Sequence, residues 1–259
     1  MKFSVTAETY TKLLPYPYVY QDNFLDDAEG IQQEILSIPD SAWDRYDNPF
    51  EQKYTLRDKY SFPPLLNRLF QQFESKEFID HLSDVCGYDL SLDPTRNFWG
   101  VHKYRSGDKL DIHVDAGLHP QTMQKKQVTL GLYLSSNWKE EYGCHLEIWR
   151  GDSASDVSPV LHEKADMISP VFNRAVLFTC NDYSWHGNPT PAMCPSDTYR
   201  IFVTISYLSE NYTDKNKKVK ALFIARPEDA PDSEKDRLRR LRADPEKYRD
   251  VYQYTLPRV

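Results

Sequence analysis

Cysteine is scarce in this sequence: four in 259 residues, Cys86, Cys144, Cys180 and Cys194. None forms a Cys-x-x-Cys pair and their spacing suggests no disulfide framework, so a reducing compartment is the simpler expectation. Long apolar runs are missing too. No segment approaches the roughly 18 uninterrupted apolar residues of a membrane span, and Met1 to Glu8 lack the apolar stretch of a signal peptide. These absences lead us to expect a cytoplasmic protein. Positive charge is in deficit, with 32 Lys and Arg against 39 Asp and Glu and a formal net charge of −7. That balance disfavours non-specific nucleic-acid binding, which needs phosphates neutralised. The local basic run from Lys215 to Lys220 reads as a solvated loop. There is no internal repeat and no long low-complexity linker.

What is present suits a soluble globular protein: 40% apolar residues, 27% charged, with 18 Tyr and 12 Phe for packing or for stacking on a ligand. The run Pro15-Tyr16-Pro17-Tyr18-Val19-Tyr20 reads as extended, because proline lacks a donor and restricts its neighbour. Its tyrosines suit packing better than a ligand cleft. Helical spacing of Leu25, Ala28, Ile31, Ile35 and Leu36 predicts a helix that ends before Pro39. Residues 40–62 show no clear period. A helix follows Pro63-Pro64, and another runs from Ser75, its cap, to Cys86, ended by Gly87.

From about Asn97 the texture changes to short β-branched and aromatic segments. Strands are expected near 97–105, 110–115, 127–135, 145–150, 166–169, 174–179, 183–187 and 198–208, with another at Ala221 to Ile224. Eight short strands separated by turns fit an all-β core with flanking helices, a double-sheet jelly roll (double-stranded β-helix). The tail reads as helical, with Ser233 as one cap and Asp244-Pro245 opening a second helix. The expectation is one domain over 1–259: helical support over 1–95, a jelly-roll core over 96–210, and a C-terminal strand and helices over 211–259.

The residues best suited to chemistry are His113 and Asp115. In an extended segment they share a face and converge on one point. His186, in a predicted strand after Ala175-Val176-Leu177-Phe178, is the natural third member. Two imidazoles and a carboxylate on one face of a metal suit non-haem Fe(II) and leave positions open for co-substrate and oxygen. The plainer alternative is two unrelated histidines, one packed and one exposed. Arg200 opens a strand whose alternation puts Arg200, Phe202, Thr204 and Ser206 on one face and Ile201, Val203, Ile205 and Tyr207 on the core face. A buried guanidinium needs a partner, and a carboxylate fits its fork. The alternative is a surface salt bridge.

In this order the motifs resemble the Fe(II)/2-oxoglutarate-dependent oxygenases, in the branch similar to prolyl 4-hydroxylases. The resemblance covers roughly residues 95–210: Tyr104, Gly107, His113 and Asp115, then Leu132-Tyr133-Leu134, Trp138, Gly143 to Trp149, His186 and Arg200. It implies that His113, Asp115 and His186 bind iron. It also implies that Arg200, with the Tyr133 hydroxyl, holds the distal carboxylate of 2-oxoglutarate, and that Tyr104 lines the pocket. The implied activity is a dioxygenase that hydroxylates a substrate and releases succinate and CO₂, with ascorbate as reductant. The sequence departs from the family pattern at Cys144, His145 and Leu110. His145 reads as a structural residue or one that supports the ligands from behind rather than as a ligand, and the insert Asn188 to Pro195 as a loop beside the site mouth. Peptidyl proline is the nearest substrate by resemblance. A free amino acid, a sugar or another small metabolite stays open, as does a non-catalytic jelly-roll binding module.

Overall fold

The computed structural model describes residues 1–56, 58–59, 61–210, 220–244, 246–248 and 251. A short helix α1 (Ala7–Tyr10) and strand β1 (Tyr18–Gln21) lead into α2 (Ala28–Ser37). Asp27 caps α2 by accepting the Gly30 N–H, and Ala28, Ile31 and Ile35 form its buried stripe while Leu36 turns outward. The Tyr16 ring packs into the core, Tyr18 is half-buried and Tyr20 is exposed, so the tyrosine run serves packing. Next comes a hairpin, β2 (Trp43–Asn48) and β3 (Glu51–Leu56). Helices α3 (Pro64–Phe73) and α4 (Lys76–Cys86) follow. The Ser75 hydroxyl caps α4, and Gly87 ends it at φ +73°, a left-handed position that suits glycine.

The core then runs as β4 (Ser91–Leu92), β5 (Gly100–Tyr104), β6 (Lys109–Val114), β7 (Lys125–Tyr133), β8 (Leu146–Gly151), β9 (Leu161–Ile168), β10 (Ala175–Thr179), β11 (Trp185–Asn188) and β12 (Arg200–Ser209). The chain continues to β13 (Leu222–Phe223) and α5 (Ser233–Ala243). Strands β5 to β12 are the eight of a jelly roll. One four-stranded layer is β10-β7-β12-β5, the other β6-β11-β8-β9, and every pairing is antiparallel. The core face of β12 is the expected one, with Ile201, Val203, Ile205 and Tyr207 fully buried against α3, α4 and the first layer. Burying each such aliphatic side chain contributes about 1.5–3 kcal/mol.

Three features differ from the sequence expectation. Residues 40–62, which showed no period, contain the β2–β3 hairpin, so the 1–95 segment is not purely helical. Strand β3 bridges the two layers: Tyr54 and Thr55 pair with Lys103 and His102 of β5, while Glu51 and Gln52 pair with Leu110 and Lys109 of β6. Its neighbours change partway along, so no single face alternates. Strand β9 begins at Leu161 rather than near 166. It is a polar edge strand, and its exposed His162, Glu163 and Lys164 conceal it. The α5 cap is Asp232, whose carboxylate accepts the Lys235 N–H, rather than Ser233.

The strand expected at 221–224 is present, and beyond β3 it takes the free side of β6, with Phe223 opposite His113. Asp244 accepts the Glu246 and Lys247 N–H groups as a cap would, whereas Pro245 lies outside the described residues. Residues 215–219 of the basic run also lie outside them. Among the described residues, no helix is long and apolar enough to cross a membrane.

Candidate active site

Antiparallel pairing of β6 and β11 sets His113 directly opposite His186, with ring centroids 4.5 Å apart. Asp115 follows His113 by two residues, just past the end of β6, and its Oδ1 stands 3.7 Å from His113 Nε2. Ligand-capable atoms of His113, Asp115 and His186 all lie within 4.8 Å of one another. Among the described residues no other group of three His, Cys, Asp or Glu side chains has this property.

The hydrogen bonds behind the site fix the imidazole tautomers. His113 Nδ1 lies 2.9 Å from the Asp111 carbonyl and His186 Nδ1 lies 2.7 Å from the Ser184 carbonyl. A carbonyl only accepts, so each Nδ1 carries the proton and each Nε2 keeps its lone pair for the cluster. Burial, reinforced by His113, pushes His186 down to about 4, so it is neutral at physiological pH. Burial alone would raise Asp115, yet the Lys126 ammonium beside it helps hold its carboxyl well below the usual range. Imidazole Nε2 lone pairs and an ionised carboxylate are what a divalent metal requires of its ligands. The donor set therefore fits a ferrous ion.

A cavity of about 230 Å³ opens onto this cluster. Arg200 lies in its wall, 1% exposed, with rings of Tyr104, Tyr133 and Phe202 between 4.8 and 5.2 Å away. One terminal nitrogen donates to the Tyr133 hydroxyl at 3.5 Å, whereas Nε and the other terminal nitrogen have no partner. Burial pushes the Tyr133 hydroxyl up to about 12, which keeps it a neutral donor. A buried, unsatisfied guanidinium beside a hydroxyl suits a carboxylate.

The other expected residues fall as follows. Tyr104 lines the cavity, opposite Arg200 in the β5–β12 register. Leu110 also lines it. His145 is apart from the cluster, its Nε2 3.6 Å from Glu140. Cys144 adopts φ +55°, and its buried sulfur accepts from the Asn188 amide. The 188–195 insert docks on the turn before β6 through Ala192, which donates to Asp108 O and accepts from Gly107 N.

Sequence reasoning missed Lys53, His102 and Lys126, all in the cavity wall. Lys126 Nζ bonds Asp115 Oδ2 at 2.7 Å. Alternation along β7 would point Lys126 away from Thr129, but the register with β12 skips a residue between Val128 and Lys126. This bulge turns Lys126 inward, and nothing in the local pattern signals it.

Residues 99–207 match the sequence model of the 2OG-Fe(II) oxygenase superfamily. The matched segment is similar to this superfamily, a class of dioxygenases that uses Fe(II) and 2-oxoglutarate, and the match supports a hydroxylase-type activity. Similar solved structures include a prolyl hydroxylase from Trichoplax adhaerens in complex with a hypoxia inducible factor oxygen degradation domain peptide (TM-score 0.53, 18% identity, 74% of this chain and 84% of that one). A Pseudomonas putida prolyl-4-hydroxylase has a TM-score of 0.54 at 16% identity, covering 79% of this chain and 99% of its own. HygX from Streptomyces hygroscopicus, with nickel and 2-oxoglutarate bound, has a TM-score of 0.50 at 13% identity, covering 76% and 84%. At these identities the likeness is one of fold, and it bears out the jelly roll of the prolyl hydroxylase type. No curated protein matches the sequence significantly.

Proposed function

We propose that His113, Asp115 and His186 are the iron ligands of this dioxygenase, and that Arg200 with Tyr133 receives the distal carboxylate of 2-oxoglutarate. The observation that carries this reading is one cavity that joins the three ligand side chains to a buried guanidinium with two unpartnered nitrogens. When bound, iron and 2-oxoglutarate supply the oxidising power for hydroxylation, with succinate and CO₂ released. The protein's own residues orient and shield. The Asp111 and Ser184 carbonyls hold the imidazoles in their ligating tautomers. Lys126 occupies Asp115 Oδ2 and leaves Oδ1 toward His113. Arg200 sets the register of the co-substrate through charge-assisted hydrogen bonds, and Tyr104 and Phe202 wall it off from water.

The substrate is an organic molecule or a residue of a protein. Peptidyl proline is the nearest candidate by resemblance, and a free amino acid, sugar or other small metabolite is the alternative. We further propose that 1–259 acts as one domain. Four free, buried cysteines support a reducing, cytoplasmic setting, and the acidic balance disfavours non-specific nucleic-acid binding.

Succinate release by the purified chain with Fe(II), ascorbate, 2-oxoglutarate and candidate substrates tests the enzyme reading. Release is expected to vanish in Asp115→Ala and His113→Ala. An Asp115→Ala variant with full iron binding and turnover refutes the ligand assignment.

A further inference from the structure

The cavity carries more positive charge than its cofactors need. Arg200, Lys126 and Lys53 all line it. The carboxylates beside them are Asp115, 2.7 Å from Lys126, and Glu51, 3.0 Å from Lys53. Asp115 is the sole carboxylate among the described lining residues. His102, in the same wall, adds no charge: burial first, and the nearby cations second, push its pKa well down, and its two nitrogens face the Thr55 and Thr204 hydroxyls.

On the ligand assignment proposed above, a ferrous ion brings two positive charges and 2-oxoglutarate brings two negative ones, which cancel. Among the described residues that line the cavity or pair with its lining, three side-chain cations against two carboxylates then leave one positive charge. A buried charge without a counter-charge is costly, so the complete complex needs one more anion. The geometry says where it goes. Arg200 faces the co-substrate and Lys53 has Glu51. The Asp115 charge is drawn to the metal, while its Oδ2 still fixes the Lys126 ammonium in place. An ammonium has three donors, and Lys126 gives one to Asp115. It sits 4.9 Å from the centroid of Phe98, another residue of the wall.

We propose that the primary substrate is a small carboxylic acid whose carboxylate is bound by Lys126, next to the metal ligand Asp115. A single remaining charge matches a carboxylate, whereas a phosphate monoester carries about −1.5 to −2 and overshoots. A lysyl or arginyl side chain would add to the uncompensated charge. Size points the same way. A cavity of about 230 Å³ falls below the roughly 300–1,000 Å³ usual for ligand pockets, and 2-oxoglutarate must share it. Asn97, Phe98 and Trp99 are left in the same wall to hold the remainder of a small molecule.

The test is equilibrium binding, without turnover, to the full chain loaded with Ni(II) and saturating 2-oxoglutarate. Probes are N-acetyl-L-amino acids and simple 2-hydroxy acids, each carrying one net negative charge, each beside its primary amide. Small phosphate monoesters and an end-blocked proline peptide complete the set. At least one acid is expected to bind about tenfold or more tightly than its amide, the size of one charge-assisted hydrogen bond. That preference is expected to be lost in Lys126→Met and kept in Lys126→Arg, with nickel content measured in both. The acid–amide comparison in the unaltered chain stands even if Lys126→Met does not fold. Equal binding of acids and amides, binding of no acid, or tighter binding of the phosphate ester or blocked peptide overturns the proposal. If 2-oxoglutarate itself fails to bind the nickel-loaded chain, the underlying site assignment falls as well, so the two failures are distinguishable.

Discussion

Replacing Arg200 with methionine is expected to separate stability from function. Without co-substrate the guanidinium is 1% exposed and lacks partners at two of its nitrogens. Each unsatisfied buried donor costs about 1–3 kcal/mol. The rings of Tyr104, Tyr133 and Phe202 return part of that, since a desolvated cation–π contact contributes about 0.5–2 kcal/mol. Methionine fills similar volume with no charge to desolvate, so Arg200→Met is expected to raise the stability of the ligand-free chain by about 1–2 kcal/mol.

With co-substrate the order reverses. A carboxylate fork on Arg200 makes two charge-assisted hydrogen bonds of about 1.5–3 kcal/mol each, so the variant should bind 2-oxoglutarate roughly 10²- to 10⁴-fold more weakly. At a hundredfold excess over its dissociation constant, 2-oxoglutarate adds about 2.7 kcal/mol to the parent, or roughly 5–10 °C in Tm. The variant should show almost none of that shift. Thermal unfolding of the nickel-loaded proteins with and without 2-oxoglutarate, with calorimetric titration alongside, reads both effects. A variant that binds 2-oxoglutarate as tightly as the parent refutes the anchor, and the carboxylate partner must then be sought elsewhere.

Gly187→Ala should damage the metal centre from behind. A Cβ there would stand 2.7 Å from the Asp111 carbonyl oxygen and 2.8 Å from that of Leu110, backbone atoms that no rotamer can move aside. The Asp111 carbonyl is also the acceptor for His113 Nδ1, so one clash disturbs both ligand strands. We expect a loss of about 1–3 kcal/mol in stability and about 10- to 100-fold in Ni(II) affinity, and an unchanged affinity in a chelator competition would contradict the account. Asp93 anchors the loop that carries Asn97 and Phe98, accepting from the Thr95 and Phe98 N–H groups and pairing with His119. Burial would raise its pKa, but these bonds win and hold it below 3.8. Its contribution is therefore present above the unfolded value and lost as pH falls through the folded one. Asp93→Asn should cost about 1–3 kcal/mol at pH 7, with the gap to the parent narrowing below pH 3.8 in urea unfolding. A gap independent of pH would refute it.

The parts of the fold that obey a simple period were legible in the sequence. Alternation along β12 assigned Ile201, Val203, Ile205 and Tyr207 to the core and Arg200 to the opposite face, and both hold. Helix α4 announced both of its ends through Ser75 and Gly87. The spacing of His113 and Asp115 told of a shared face, and their meeting with His186 follows from one strand pairing. What escaped was whatever depends on partners distant in sequence. The inward turn of Lys126 comes from a register slip against β12. The β2–β3 hairpin hid because β3 is paired to β6 at one end and β5 at the other, so its burial follows no period. Polar edge strand β9 looked like loop until its pairing with β8 was seen.

That division also explains why the reaction class was easier to read than the substrate. The family match ends at 99 on its N-terminal side, and the three ligand candidates, Tyr133 and Arg200 all fall within 99–207. Chemistry common to a whole class can be held by these few side chains on a shared framework. Lys53, Asn97 and Phe98 line the same cavity but precede the matched span. They reach it on β3, which joins the two layers of the jelly roll, and on the loop tied down by Asp93. A cavity wall built from segments outside the common framework can change without disturbing the ligands, so selectivity would be expected to reside there. Exchanging residues in β3 and the 93–98 loop should therefore alter which molecule is bound before it alters whether iron and 2-oxoglutarate are bound, and the Lys126 charge fixes the sign of the molecule they must accommodate.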